Sequence, residues 1–437
     1  MKIPQTPPLL QETMQKNQTE IMQVLSNPQF LDFIALCNKK YYHWDKIRYL
    51  NDPRNKKPEL TWAVLKLLRT QQYRMINIGQ LHFLFVTLND VLSKLHQFDK
   101  GGGGRIVSHV DTINLEGRRD YIISSLMEEA IASSQLEGAA TTRQVAKELL
   151  RLRKKPRNFS EKMIVNGYSA MQHITKMKEK EITPARLLEI QRIITNGTLH
   201  EESHVGSWRD NDEVVVGDNL DPTLVYHRPP EHQKIPQLVQ ELCDFANDDD
   251  NEFIHPIIKG IILHFLVGYI HPFHDGNGRT ARALFYWYAL HKGYWLFEFM
   301  AVSRIILRSK VKYGLAHLYT ETDDNDLTYF INYNVQAIDE AFNEMQTYIE
   351  RKQKEQQEAL KLIRGTRDIN LRQAQILKEA IRQPEMAVTI ASVVGMYDVV
   401  YQTARNDLMH LTQRGYLQQR KIGKKFVFYL KTKAFVK

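Results

Sequence analysis

The run His271-Pro272-Phe273-His274-Asp275-Gly276-Asn277-Gly278-Arg279-Thr280-Ala281-Arg282 gathers side chains suited to phosphate chemistry. His271 is the candidate general base, because imidazole titrates near neutral pH and can accept a hydroxyl proton. Asp275 offers a hard oxygen ligand for a magnesium ion. Gly276, Asn277 and Gly278 form a turn whose missing side chains let an anion approach the backbone. The turn opens into a helix-forming segment, Ala281 to Leu290, and a helix start adds positive potential and orphan N–H groups. Arg279 and Arg282 are three apart, so both fall on one helix face and lean back toward the turn. Arginine makes forked contacts to phosphate oxygens. A zinc site from His264, His271 and His274 is the weaker reading, since His264 sits in an apolar run and no cysteine is nearby. Phe273 reads as a core anchor for the loop.

The elements that must hold this run are mostly helical. Ile257 to Ile270 is the most apolar stretch, too short to span a bilayer and carrying Lys259 and His264, so it predicts a buried helix leading into His271. Helical patterns also cover Arg118 to Glu137, Thr141 to Leu152, Ser160 to Met177 and a helix opened by Thr183-Pro184. Met1 to about Asp99 reads as helical throughout, and Gly101 to Gly104 as a mobile connection. Glu213 to Gly217 and Leu224 to Tyr226 read as a β-hairpin. Leu327 to about Arg364 predicts a long charged helix, solvated in its second half.

Composition sets the frame. With 437 residues the chain suits two or three domains. Two cysteines, Cys37 and Cys243, imply no disulfide framework, look like inert core positions and fit a reducing cytosol. The first ten residues lack a signal-peptide core, and nothing points to a membrane. The net charge of +9 is uneven: 366–437 holds 13 basic and 5 acidic residues, a difference of +8. That tail suggests an acidic partner such as nucleic acid, or a solubilising role.

At the 271–282 run the chain resembles the Fic family, whose motif reads HPFx(D/E)GNGRxxR; every fixed position matches. The resemblance implies a mainly α Fic core with a β-hairpin flap, and transfer of AMP from ATP to a hydroxyl of a target protein, or of the chain itself, with Mg2+. It implies that His271 is the base, Asp275 the metal ligand, and Gly276, Asn277 and Gly278 the phosphate cradle. Arg279 would contact the leaving phosphates and Arg282 the γ-phosphate. Ser133, Glu137 and Gly138 resemble the family's inhibitory motif, (S/T)xxxE(G/N). A carboxylate paired with Arg282 would take the γ-phosphate's partner and forbid the productive pose. The hairpin, with Val214, Val215, Val216 and Gly217, sits where the family carries its target-docking flap. Arg209 reads as structural, and Tyr313 as either an adenine-pocket or a core residue. Other donors, AMP removal with Glu137 positioning water, and a DNA-binding regulator with a nucleotide-sensing core are the rival readings. A homodimer is left open.

Leu371 to Gln383, Thr389 to Met396 and Val399 to Arg414, then strands at Leu417 to Gln419 and Lys425 to Leu430, resemble a winged helix-turn-helix. Tyr401, Gln402, Arg405 and Asn406 would face a major groove. Arg420, Lys421, Lys424 and Lys425 would form a basic wing, with protein docking as the alternative. The expected division is 1–104 N-terminal helices, 105–349 Fic core, 350–367 helical linker and 368–437 winged module.

Overall fold

The computed structural model describes residues 2–50, 57–103, 115–218, 221, 223–248, 252–365, 369–382, 387–422 and 425–431. Gly104, Gly423, Lys424 and the end of the expected linker lie outside these residues. The chain is mostly helical. Helices α1 to α5 are Leu10–Lys16, Gln18–Leu25, Pro28–Lys39, Trp44–Ile47 and Pro58–Thr70; strands β1 and β2 are Arg74–Ile78 and Leu81–Phe85. Helices α6 to α10 are Asn89–Gly103, Leu115–Leu136, Arg143–Arg151, Phe159–Met177 and Pro184–Thr195. Strands β3 and β4 are Val216–Gly217 and Val225–His227. Helices α11 to α16 are Ile235–Asn247, Pro256–Ile270, Asn277–His291, Val302–Arg308, Lys310–Thr322 and Thr328–Gly365. The C-terminal order is α17 Leu371–Arg382, β5 Val388–Thr389, α18 Ile390–Tyr397, α19 Tyr401–Gln413, β6 Leu417–Ile422 and β7 Lys425–Leu430.

The chain forms two compact units: Met1–Asp99 with Ser169–Tyr294 and Val302–Asp339, and Lys100–Tyr168 with Trp295–Ala301 and Glu340–Lys437. Residues of the expected 105–349 core contribute to both.

In the first unit the centre is the antiparallel pair α12–α13. Pro256 occupies the first turn of α12, and the His255 ring accepts the Ile257 N–H at 3.2 Å. Ile257, Ile261, Leu263, Phe265 and Ile270 are all buried, so α12 is apolar on every side. Gly260 permits the close approach: a Cβ there would meet Phe285 and Tyr288 at 3.2 Å. Helix α10 packs on α13, and α11 on α12. The Thr183 hydroxyl caps α10 as the sequence predicts. The N-terminal helices bury Phe30, Ile34, Trp44 and Trp62 in their own cluster. A buried Lys66–Asp323 ion pair at 2.6 Å, and the Tyr41 and Tyr73 hydroxyls donating to Asp326 at 2.6 and 2.8 Å, tie these helices to 323–326.

Three expectations are corrected. The N-terminal region is not helical throughout, because β1 and β2 form a hairpin around Gly79, whose φ is +58°. Its alternation buries Ile76, Ile78, Phe83 and Phe85 on one face. Gly101 to Gly103 continue α6 rather than forming a loop, since a helix end tolerates glycine. In the 213–227 hairpin only Val216 and Gly217 enter the ladder; Val214 and Val215 precede it, and a register irregularity falls at Val216/Gly217.

In the second unit, Met127, Ile131, Ala146, Leu150 and Ile164 join α7, α8 and α9 in one cluster. The Ser134 hydroxyl donates to the Met163 carbonyl at 3.2 Å. The last seventy residues bury Leu377, Ile390, Leu408 and Leu411 in a separate cluster under a three-stranded sheet of order β5-β7-β6. Strand β5 was not visible in the sequence. Helix α18 rests on α7 and α8, and a Cβ at Gly395 would come within 2.5 Å of the Arg151 carbonyl oxygen.

Candidate phosphate and base site

Helix α12 ends on His271, whose backbone is left-handed at φ +49°, ψ +57°. Its N–H still bonds the Val267 carbonyl at 3.0 Å. The imidazole Nδ1 lies 3.1 Å from the Gly268 carbonyl oxygen. A carbonyl can only accept, so that contact fixes the proton on Nδ1 and makes Nε2 the basic nitrogen of the ring. The backbone on either side is clamped by Arg209. Its Nε donates to the His271 carbonyl at 3.0 Å, its N–H to the Pro272 carbonyl at 2.9 Å, and its guanidinium to Asn211, Asp212 and Pro230. Arg209 is buried, which agrees with a structural role.

The loop 273–277 is closed by one side chain. Asn277 accepts the Phe273 N–H at 2.9 Å and donates to the Phe273 carbonyl at 2.8 Å. Phe273 is buried and stacks on Trp208, with ring centroids 5.0 Å apart. Gly276 then caps α13 with φ +86°, and a Cβ there would sit 2.9 Å from the Thr195 methyl. Both facts require glycine. Helix α13 starts at Asn277, four residues before the expected Ala281, so Gly278 and Arg279 already lie in its first turn. Helix geometry leaves the leading N–H groups without an intrahelical acceptor and aims them past the turn.

Arg279 and Arg282 are both buried. Arg279 reaches back as the periodicity predicts: it pairs with Asp275 at 3.1 Å and donates to the Ile194 carbonyl at 3.3 Å. Arg282 lies on the same face, and its charge acts on the rings of His264 and His317. Asp275 is half exposed, accepts the Gly276 N–H at 2.5 Å and holds Arg279. The described residues contain no group of three or more His, Cys, Asp or Glu able to hold a metal. A single half-exposed carboxylate fits a magnesium ion shared with substrate phosphates, not a cation caged by protein. His264 and His274 do not converge with His271 on a zinc set: His264 bonds the Tyr313 hydroxyl at 2.9 Å, and His274 stacks on His204 at 3.6 Å.

Tyr313 therefore spends its hydroxyl on a buried histidine, and its ring lies among His264, His317 and Phe330. Ser133 is buried near the end of α7; Glu137 follows that helix and is exposed, and Gly138 has φ +96°. Cys37 and Cys243 are buried free thiols, and burial pushes Cys243 up to about 12.

Sequence reasoning missed three supports. Gln191 on α10 donates to the Asp275 carbonyl at 3.2 Å and accepts the Gly206 N–H at 2.6 Å. His317 is half-buried beside Gly268, and desolvation, with the charges of His227, His271 and Arg282, lowers its pKa to about 3. It stays neutral next to His271. His227, on β4, bonds Glu321 through Nδ1 at 2.6 Å and the Tyr269 carbonyl through Nε2 at 2.7 Å. Spacing marks only Tyr313 and His317 as one helical face; the rest have distant partners.

Residues 181–289 match the model of the Fic/DOC family. The protein adenylyltransferase Fic of Nematostella vectensis is 28% identical over 156 residues, covering 36% of this chain and 32% of that protein. Its namesake in Drosophila willistoni is 31% identical over 127 residues, 29% of this chain and 23% of that protein. The chain thus matches a third or less of the length of these relatives. Fic-1 of C. elegans shares the fold, with a TM-score of 0.51 at 16% identity over 80% of this chain and 89% of that one. Among the described residues no helix is long and apolar enough to cross a membrane.

Burial opposes charge on His227, but the Glu321 carboxylate outweighs it and the pKa is raised. A raised folded pKa stabilises fully below the unfolded value, about 6.5, and that stability is lost as pH rises through the folded value. Exchange protection of the Val225–His227 amides, corrected for intrinsic rate, is expected to fall above that pH in wild type and to stay flat in Glu321→Gln. Protection that climbs with pH in wild type contradicts the ion-pair account.

Proposed function

We propose that this chain is a nucleotidyltransferase that moves AMP from ATP to a hydroxyl side chain of a protein. The observation that carries the reading is a left-handed His271, with its proton held on Nδ1 by the Gly268 carbonyl, beside a glycine-capped helix start. The hydroxyl gives its proton to His271 Nε2 while its oxygen bonds the α-phosphorus. The α–β bridging bond breaks, and pyrophosphate takes the bond's electron pair. The N–H groups of Asn277 and Gly278 and the α13 dipole offset charge on the phosphate oxygens. Arg279 would exchange Asp275 for the leaving phosphates, and Arg282 would hold the γ-phosphate. Asp275, so released, would bind magnesium, which supplies charge neutralisation across the phosphates. Tyr313 would border the adenine, and the β3–β4 hairpin would receive the target segment by main-chain pairing.

Regulation is part of the reading. Glu137, with Ser133 and Gly138 around it, would hold Arg282 away from the γ-phosphate. The buried free thiols support work in a reducing compartment such as the cytosol. The C-terminal module is proposed to be a winged helix that binds duplex DNA. Tyr401, Gln402, Arg405 and Asn406 are exposed on α19 while Ala404, Leu408 and Leu411 are buried, and Arg420 and Lys421 are exposed on β6.

With ATP labelled at the α-phosphate and magnesium, wild type should label itself or a lysate protein. His271→Ala should lose at least about a hundredfold of that rate, the usual share of a general base, and Glu137→Gly should exceed wild type. Equal labelling by His271→Ala rejects the mechanism, and no gain in Glu137→Gly rejects the inhibition. A labelled duplex should be retained at low salt and released as salt rises, about tenfold more weakly by Arg405→Ala. No retention at low salt rejects the DNA reading.

A further inference from the structure

A second concave surface lies within the first unit, built on the free edge of β1. The two-residue turn at Gly79 makes Ile78–Leu81 the first hydrogen-bonded pair, so Ile76–Phe83 and Arg74–Phe85 are the next bonded pairs. Met75 and Asn77 then turn their main-chain N–H and C=O groups away from β2. The opposite edge confirms this register. Leu84, opposite Met75, directs its own groups outward, donating to the Asn325 carbonyl at 3.2 Å and accepting the Leu327 N–H at 2.7 Å. The β2 edge is therefore covered. The outward groups of Met75 and Asn77 meet no partner among the described residues, and Met75 is 72% exposed.

That edge opens onto a cavity of about 580 Å3, within the roughly 300–1,000 Å3 of ligand sites. Residues from both faces of β1 line it, which places it along the strand edge, with α11 as its far wall. The wall is acidic: Glu241, Asp244, Asp248 and Glu252 line the cavity against Arg74 and Lys259. Both cations are already engaged. Arg74 pairs with Glu252 at 3.1 Å and donates to the Phe253 carbonyl at 2.7 Å; Lys259 donates to the Asp248 carbonyl at 2.5 Å and lies over the Phe245 ring. The remaining field is negative. One Glu241 carboxylate oxygen is buried without a hydrogen-bond partner.

We propose that this cleft docks an extended, lysine- or arginine-rich segment of a partner protein, which adds as a third strand on β1. Main-chain bonds to Met75 and Asn77 supply affinity without reading sequence, and Glu241, Asp244 and Asp248 select cationic side chains on alternate positions of the guest. A neutral or acidic strand would bring no cation to the Glu241 and Asp244 carboxylates. The edge is short, which keeps it from templating aggregation while leaving room for one guest strand.

The test uses the full chain and a fluorescein-labelled peptide alternating lysine and valine, followed by anisotropy. The peptide should bind, more weakly as salt rises, and a glutamate-for-lysine counterpart should not. Asp244→Lys with Asp248→Lys should weaken binding at least about tenfold. Met75→Pro should do the same, because it removes an outward N–H and no bond to β2. N-methylation of alternate peptide amides needs no change to the protein; one of the two alternating series should abolish binding and the other should not. The proposal is overturned by absent binding of the cationic peptide at low salt, by equal binding of the acidic one, or by both N-methyl series binding as well as the parent. A dimer seen by ultracentrifugation and lost in Met75→Pro also overturns it, making a second copy the occupant.

Discussion

The pair of hydrogen bonds between Asn277 and the backbone of Phe273 is the constraint on which the site depends. It closes a five-residue loop between two buried helices. On one side the loop leaves His271 at the end of α12 in a left-handed conformation that only the surrounding structure can enforce. On the other it delivers Gly276 as the cap of α13, so the helix begins at the proposed phosphate site. Arg209 and Gln191 hold the same loop from outside, one through the carbonyls of His271 and Pro272, the other through Asp275. The proposed base and the proposed anion site are thus two ends of one closed turn. Preorganisation of this kind removes reorganisation from the reacting step.

Charge inside this unit is handled by pairing or by neutrality. Arg279 is buried and meets Asp275; Lys66 is buried and meets Asp323. His264, buried, and His317, half-buried, are held neutral by desolvation and the Arg282 charge, so neither competes for the proton that His271 is proposed to take. The Asp275–Arg279 pair has a further meaning. It satisfies both groups before substrate arrives, and a polyphosphate with its metal would replace each partner by a stronger one. The same carboxylate can serve the resting and the loaded site because half of it faces solvent.

Much of the site was legible because its chemistry is local. Glycine at a left-handed cap, arginines one turn apart and a histidine after an apolar helix are all properties of a dozen consecutive residues. The capped helix at Thr183 and the stop at Gly138 were legible for the same reason. Gln191 and His227 were not, since each acts on a backbone atom far along the chain and carries no periodic signal. The β1–β2 hairpin did alternate with period two around Gly79, but short apolar runs fit helix and strand alike, and the flanking helices favoured the wrong choice. Its real determinant is tertiary: Phe83 meets Phe265 and Tyr269 of α12, while 325–327 covers the outer edge of β2.

The central claim is that one turn presents both the base and the phosphate cradle. A crystal structure with a non-transferable ATP analogue and magnesium tests it most directly. The account predicts phosphate oxygens on the N–H groups of Asn277 and Gly278, the metal on Asp275, and His271 Nε2 facing the side of the α-phosphorus opposite the pyrophosphate. Phosphates bound away from this turn, or a His271 ring aimed away from the α-phosphate, would contradict it.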